Sequence, residues 1–154
     1  MERIASFCVD HTKLDRGMYL SRQDGDVLTW DIRMKKPNHG DYLSTGAAHT
    51  LEHLFATYAR NSQYKDGVVY VGPMGCRTGF YLLTRGLTPA EALELTVESF
   101  RFMAGFLRHI RSLRHRRVQF CRASIRRWGL LPSFVSFIIS RERISFGSRL
   151  CSIS

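Results

Sequence analysis

Ala47-Ala48-His49-Thr50-Leu51-Glu52-His53-Leu54-Phe55-Ala56-Thr57-Tyr58 is the stretch on which the reading of this chain turns. Its apolar residues Ala47, Ala48, Leu51, Leu54, Phe55 and Tyr58 recur at spacings of three and four, the period of a helix with one face on a core. His49, Glu52, His53 and Ala56 form a second stripe on that helix. Residues four apart stand one turn above each other, so His49 and His53 can chelate a single divalent cation, with the Glu52 carboxylate beside them for proton transfer. The competing reading is a pair of surface or core-satisfied histidines that happen to fall four apart. Ser44 and Thr45 precede the run, and either hydroxyl can accept from the free amides of the first turn, while Gly46 permits a sharp start.

Outward from the helix, the surrounding pattern is of strands. Leu28, Trp30 and Ile32 alternate with Thr29, Asp31 and Arg33, which predicts a half-buried strand ended by Lys36-Pro37-Asn38-His39-Gly40. Val68-Val69-Tyr70-Val71 between Gly67 and Gly72-Pro73 predicts a second strand, and Phe80-Tyr81-Leu82-Leu83 a third. Thr88-Pro89-Ala90-Glu91 then has the form of a capping box opening a second helix, whose apolar face runs through Leu93, Val97, Phe100, Ala104 and Leu107. Strands interleaved with two amphipathic helices give an α+β fold, expected as a single domain with an antiparallel sheet packed against helices. There is no internal repeat.

The 154 residues suffice for one domain with an ordinary core. No charged start followed by an apolar run and a small-residue cleavage site is present, so a cytoplasmic protein is expected. The longest weakly charged stretch, Trp128 to Ser140, is too short to span a bilayer and contains Pro132. Cys8, Cys76, Cys121 and Cys151 form no Cys-x-x-Cys pair and read as thiols.

The net charge of +10 is unevenly placed. Residues 1–98 hold eleven Lys+Arg against twelve Asp+Glu, whereas residues 99–154 hold twelve Arg, no Lys and only Glu142. The texture changes near residue 107, which divides the chain into a first part, residues 1–107, and an atypical basic tail, residues 108–154. Twelve arginines in residues 99–154, eleven of them in the tail, cannot be neutralised locally by one acidic partner, so the tail is expected to be solvated, mobile or bound to an acidic surface.

Several segments together resemble the S-ribosylhomocysteine lyase family, LuxS, the autoinducer-2 synthases of quorum sensing. They are Ser6-Phe7, Val9-Asp10-His11-Thr12-Lys13-Leu14, Asp31-Ile32-Arg33 with Lys36-Pro37-Asn38, His49-Thr50-Leu51-Glu52-His53-Leu54, and Gly72-Pro73-Met74-Gly75-Cys76-Arg77-Thr78-Gly79-Phe80-Tyr81. The resemblance runs in order from about residue 4 to 106. It implies a homodimeric α+β enzyme that cleaves the thioether of S-ribosylhomocysteine to homocysteine and 4,5-dihydroxypentane-2,3-dione. It also implies a ferrous ion, for which zinc or cobalt can substitute, held by His49, His53 and a cysteine. By the same resemblance Glu52 is the general base, Cys76 the acid/base thiol, and Ser6, His11 and Arg33 line the substrate pocket. Arg77 and the glycine-rich backbone beside Cys76 are expected to favour its thiolate.

The resemblance stops before the third metal ligand, so it implies that residues 1–107 are a lyase-like catalytic domain incomplete at its C-terminal end. The family's Glu-Cys-Gly-Asn-Tyr motif is missing; the chain reads Arg116-Arg117-Val118-Gln119-Phe120-Cys121-Arg122-Ala123 in that region, and Cys121, 68 residues after His53, is the one candidate. The join near residue 107 reads as a shifted reading frame or a recombination, which would impair the enzyme. Three alternatives stand beside the lyase: an inactive relative, a zinc metallopeptidase using His-x-x-Glu-His, and an Arg-rich nucleic-acid binder. The Cys76 segment speaks against the second, and the lack of any nucleic-acid motif against the third. Neither nucleic acid nor membrane is an expected partner.

Overall fold

The computed structural model describes residues 15–112, with side chains through residue 106. Ser6, Cys8, His11, Cys121 and the basic tail therefore lie outside the described residues. Four strands, β1 (Gly17–Asp24), β2 (Val27–Arg33), β3 (Val68–Pro73) and β4 (Gly79–Arg85), form one antiparallel sheet in the order β1-β2-β4-β3. Two helices, α1 (Thr45–Ala59) and α2 (Pro89–Ser112), complete an α+β domain, as the alternation of patterns predicts.

The sheet has an apolar and a polar face because successive side chains alternate. Ile32 pairs with Phe80 and Trp30 with Leu82 between β2 and β4, while Met18 pairs with Ile32 and Val71 with Leu82 on either side. All six are buried and form the core with Leu51 and Phe55 of α1 and Leu95, Phe100 and Met103 of α2. The Phe55 ring sits edge-on to Phe80 at 6.3 Å and to Phe100 at 5.5 Å, joining sheet and both helices at one point. Trp30 is fully buried without leaving its indole unsatisfied, since Nε1 donates to Thr84 Oγ1 at 2.9 Å.

Both helices start where the sequence places them, with one correction. Ser44 is the N-cap of α1, extended at φ −65° and ψ 152°, and its hydroxyl accepts from the Ala47 amide. The bend into the helix is therefore at Ser44, and Gly46 lies within the first turn. The capping box of α2 forms in both directions: the Thr88 amide donates to Glu91 Oε2 at 2.7 Å, and the Glu91 amide to Thr88 Oγ1 at 3.3 Å.

The buried face of α2 is rotated from the one read in the sequence. Ala92, Leu95, Thr96, Ser99, Phe100 and Met103 are fully buried, whereas Leu93 and Val97 are half-buried. Thr96 and Ser99 enter the core because their hydroxyls donate to the carbonyls of Ala92 and Leu95, four residues back, at 2.8 and 2.7 Å.

Strand β1 has no counterpart in the sequence reading. Its pairing with β2 slips between Leu20 and Arg22, and its second half is exposed, so no apolar alternation marks it. The two-residue connection Gly25-Asp26 closes the hairpin, with Gly25 at φ +60° as a type II′ turn asks of its first central residue.

Candidate functional site

The hairpin between β3 and β4 positions the thiol. Its tip is a tight turn in which the Arg77 amide donates to the Met74 carbonyl at 2.8 Å and the Met74 amide to the Gly79 carbonyl at 2.9 Å. Arg77 takes up the left-handed conformation at φ 56°. Cys76 stands at this tip, exposed. The segment between β2 and α1 folds back on the same turn: the Met34 and Lys35 amides both donate to the Thr78 carbonyl, and the Leu43 amide to the Arg77 carbonyl, each at 2.9 Å. Lys35 Nζ holds Asp41 at 2.6 Å across the loop, and the Arg77 guanidinium lies over the Tyr42 ring at 5.8 Å.

Between loop and hairpin lies a cavity of about 280 Å³ lined by Arg33, Pro37, Asn38, Tyr42, Cys76 and Tyr81, with Gly75 and Thr78 behind the thiol. Arg33 comes from the polar face of β2 and is 5% exposed. Its Nη1 donates to Thr78 Oγ1 at 3.0 Å and reaches Cys76 Sγ at 3.6 Å, while Nη2 donates to Asp31 Oδ2 at 2.7 Å. Thr78 Oγ1 is also 3.0 Å from the thiol sulfur. Burial pushes the Cys76 thiol up, but hydrogen bonds from the Thr78 hydroxyl and amide, followed by the Arg33 charge, outweigh it and leave the thiol below its ordinary range. The groups that favour the thiolate are therefore Thr78 and Arg33, and Arg77, whose charge is turned to Tyr42, is not among them. Tyr81 keeps its proton firmly: burial raises its phenol first and the Asp31 charge adds to this, with Arg33 opposing.

The second cluster sits on α1. His49 and His53 are exposed, their rings 4.5 Å apart, and their Nε2 atoms converge to 2.7 Å. At this distance the N–H of one imidazole donates to the bare nitrogen of the other, and the same two nitrogens could both face one cation. Among the described residues no group of three or more His, Cys, Asp or Glu side chains converges in this way. Glu52, half-buried on the same helix, has no hydrogen bond or ion pair with the described residues. The structure thus brings Arg33 and Cys76 together in one pocket and His49 to His53 on one helix face, and the histidines do not line that pocket.

Of the eight lining residues the sequence reading gives a role only to Arg33 and Cys76, leaving Pro37, Asn38, Tyr42, Gly75, Thr78 and Tyr81 unassigned. Thr78 and Tyr81 lie inside the Gly72–Tyr81 segment, where strand alternation from Phe80 would have put Tyr81 on the face of Arg33. Nothing in the local pattern marks Tyr42.

An α+β domain that holds a hydrogen-bonded thiol at a hairpin tip, against a buried guanidinium and facing a cavity, has a group able to exchange a proton or act as a nucleophile. The chain belongs to the S-ribosylhomocysteinase (LuxS) family, whose model matches residues 4–122. That match passes the change of texture near residue 107 and takes in Cys121. A protein of Phocaeicola vulgatus named S-ribosylhomocysteine lyase is 53% identical over 112 residues, covering 69% of this chain and 70% of its own. Proteins of the same name from Desulfotalea psychrophila and Clostridium acetobutylicum are each 49% identical over 112 residues, covering 69% of this chain and 70% and 71% of theirs. The family match favours neither the peptidase nor the nucleic-acid reading. No helix of the described residues is long and apolar enough to cross a membrane.

Proposed function

We propose that this chain is an S-ribosylhomocysteine lyase, a carbon–sulfur lyase that releases homocysteine and 4,5-dihydroxypentane-2,3-dione. The observation that carries the reading is the contact of Cys76 with Thr78 and Arg33 at the mouth of the cavity, in a chain of this family. Elimination of a thiol β to a carbonyl needs a proton taken from the carbon next to that carbonyl. The electrons of the broken C–H bond form the new C=C bond as those of the C–S bond leave with sulfur. Moving the carbonyl along the sugar beforehand needs a carrier that takes a proton at one carbon and returns it at the next. Cys76 is suited to that shuttle, because the Thr78 hydrogen bonds and the Arg33 charge ease ionisation of its thiol at the edge of the cavity. Glu52 serves as the second carrier, and Tyr81, held neutral, donates a hydrogen bond into the cavity. Arg33 presents its guanidinium to substrate oxygen, with Ser6 and His11 as further contacts.

His49 and His53 would hold the metal, which we take to be ferrous iron with zinc or cobalt as substitutes, and Cys121 would be the third ligand. When bound, such an ion polarises the substrate carbonyl. We further propose a cytoplasmic homodimer whose dione product is the precursor of a quorum-sensing signal.

The test is turnover of S-ribosylhomocysteine by anaerobically purified protein, with released homocysteine titrated by a thiol reagent and metal measured on the same sample. Cys76→Ala should abolish homocysteine release and leave the metal content intact. Loss of both together would make Cys76 a ligand and overturn its role as proton carrier. His49→Ala with His53→Ala should strip the metal, as should Cys121→Ser. Unchanged metal in the double variant would sink the metal assignment of α1. Absence of turnover in metal-loaded wild-type protein would reduce the chain to an inactive relative.

A further inference from the structure

Asp31 has no part in the reading above, yet its carboxylate is the nearest negative charge behind the thiol's guanidinium. It lies two positions before Arg33 on the same face of β2, 8% exposed, and accepts from Arg33 Nη2 at 2.7 Å. Arg33 Nη1 meanwhile serves Thr78 and Cys76. An Arg–Asp pair arranged for stability is commonly bidentate, two nitrogens against two oxygens. Here one bond is made, and both Asp31 Oδ1 and Arg33 Nε are buried with no hydrogen-bond partner among the described residues. Burying a pair of charges so incompletely matched is poor stabilisation. The guanidinium is turned so that one terminal nitrogen reaches the thiol, and the carboxylate holds it there by the other.

We propose that Asp31 is a positioning residue for the acid–base thiol: it fixes the Arg33 guanidinium against Cys76 and Thr78 and offsets part of its charge, so that the Cys76 proton remains exchangeable in both directions. The catalytic consequence rests on the lyase reading; the effect on the thiol does not. A proton shuttle works best with its pKa near the working pH, because a thiolate stabilised too far is a weak base that does not take up its proton. A buried guanidinium 3.6 Å from sulfur, left unopposed, pulls in that direction. The other groups around the thiol do not supply the opposing charge. Tyr81, paired with Asp31 across β2 and β4, is neutral, Arg77 is a second cation engaged with Tyr42, and Lys35 and Asp41 of the pocket loop neutralise each other.

The experiment is the pH dependence of iodoacetamide alkylation of the full chain, read at Cys76 by peptide mass analysis because the protein has four cysteines. Asp31→Asn keeps the shape and an acceptor for Nη2 while removing the charge. Its acid limb should move to lower pH. Well below the wild-type midpoint, thiolate should be about tenfold more abundant and alkylation roughly threefold faster, since a less basic thiolate is also a weaker nucleophile. Asp31→Glu, which restores the charge, should bring the profile back towards wild type. In the lyase assay the kcat profile of Asp31→Asn should shift the same way, with KM little changed. An unmoved alkylation profile, or a move to higher pH, overturns the proposal. If wild type shows no lyase turnover, the alkylation profile still decides on Asp31 while the lyase reading fails by itself. Asp31→Ser serves if the asparagine variant does not fold, and failure of both to fold would make the carboxylate a folding group and overturn its tuning role.

Discussion

Replacing Gly79 by alanine should damage the fold and the thiol together. Gly79 pairs with Arg33 at the end of the β2–β4 ladder. A methyl group there would be driven into the Ile32 carbonyl oxygen, with the carbonyl carbon at 2.9 Å and Arg33 Cα at 3.1 Å. These are backbone atoms, so the strands must separate by on the order of 1 Å, because close-packed backbone cannot otherwise give. Two bonds span that junction, from the Met34 and Lys35 amides to the Thr78 carbonyl, each at 2.9 Å. At about 1 kcal/mol net for each, their loss should cost about 2 kcal/mol, a large share of a domain's stability. The same separation draws Arg33 and Thr78 away from Cys76, so alkylation of the thiol should require higher pH. Urea unfolding followed by circular dichroism measures the first effect and the alkylation profile the second. Gly75→Ala is the control, since nothing lies within 4 Å of a methyl group there, and it should alter stability by less than about 0.5 kcal/mol. A Gly79→Ala protein within about 1 kcal/mol of wild type, with an unmoved thiol, would refute the reasoning.

Thr78→Val removes the hydroxyl beside Sγ and should shift Cys76 alkylation to higher pH. Because the folded thiol is held low, the stabilisation it brings is present above the ordinary thiol range and lost as pH falls through the lowered value, so the variant's stability deficit in urea should be greatest at alkaline pH. Phe55→Ala empties the meeting point of sheet, α1 and α2 and should cost about 3–5 kcal/mol in urea unfolding; a loss under about 1 kcal/mol would mean the core is not closed there. Ser44→Ala removes the α1 cap and should cost about 1 kcal/mol by the same measurement, with no change counting against the cap.

The elements legible in the sequence were those whose local chemistry and tertiary burial agree. The alternation Leu28–Arg33 and the capping box at Thr88 needed no partner to be read. Strand β1 was hidden because its bulge breaks the period and its outer half faces solvent, although Gly25-Asp26 was a hairpin signal that could have been used. The face of α2 was misplaced because Thr96 and Ser99 look polar in a sequence, while their hydroxyls are satisfied within the helix. At the site, motif reading names Cys76 and Arg33, which share a pocket, and credits the thiol's ease of ionisation to Arg77 and the local backbone, of which the Thr78 amide contributes and Arg77 does not. Which cation faces a thiol is decided by strand register, and register brought Arg33 from 43 residues away.

That separation has a consequence for how the protein comes to be reactive. Arg33, Thr78 and Cys76 meet only once β2 has found β4, a closure across about 45 residues that includes the whole of α1. Such long-range pairings pay their loop entropy before they gain contacts, and they tend to set the pace of folding. Until then Cys76 is an ordinary cysteine on a nascent hairpin. Activation of the sulfur is thus a late event of chain assembly, and the rate at which a thiol reagent begins to find it preferentially would time the moment at which the sheet closes.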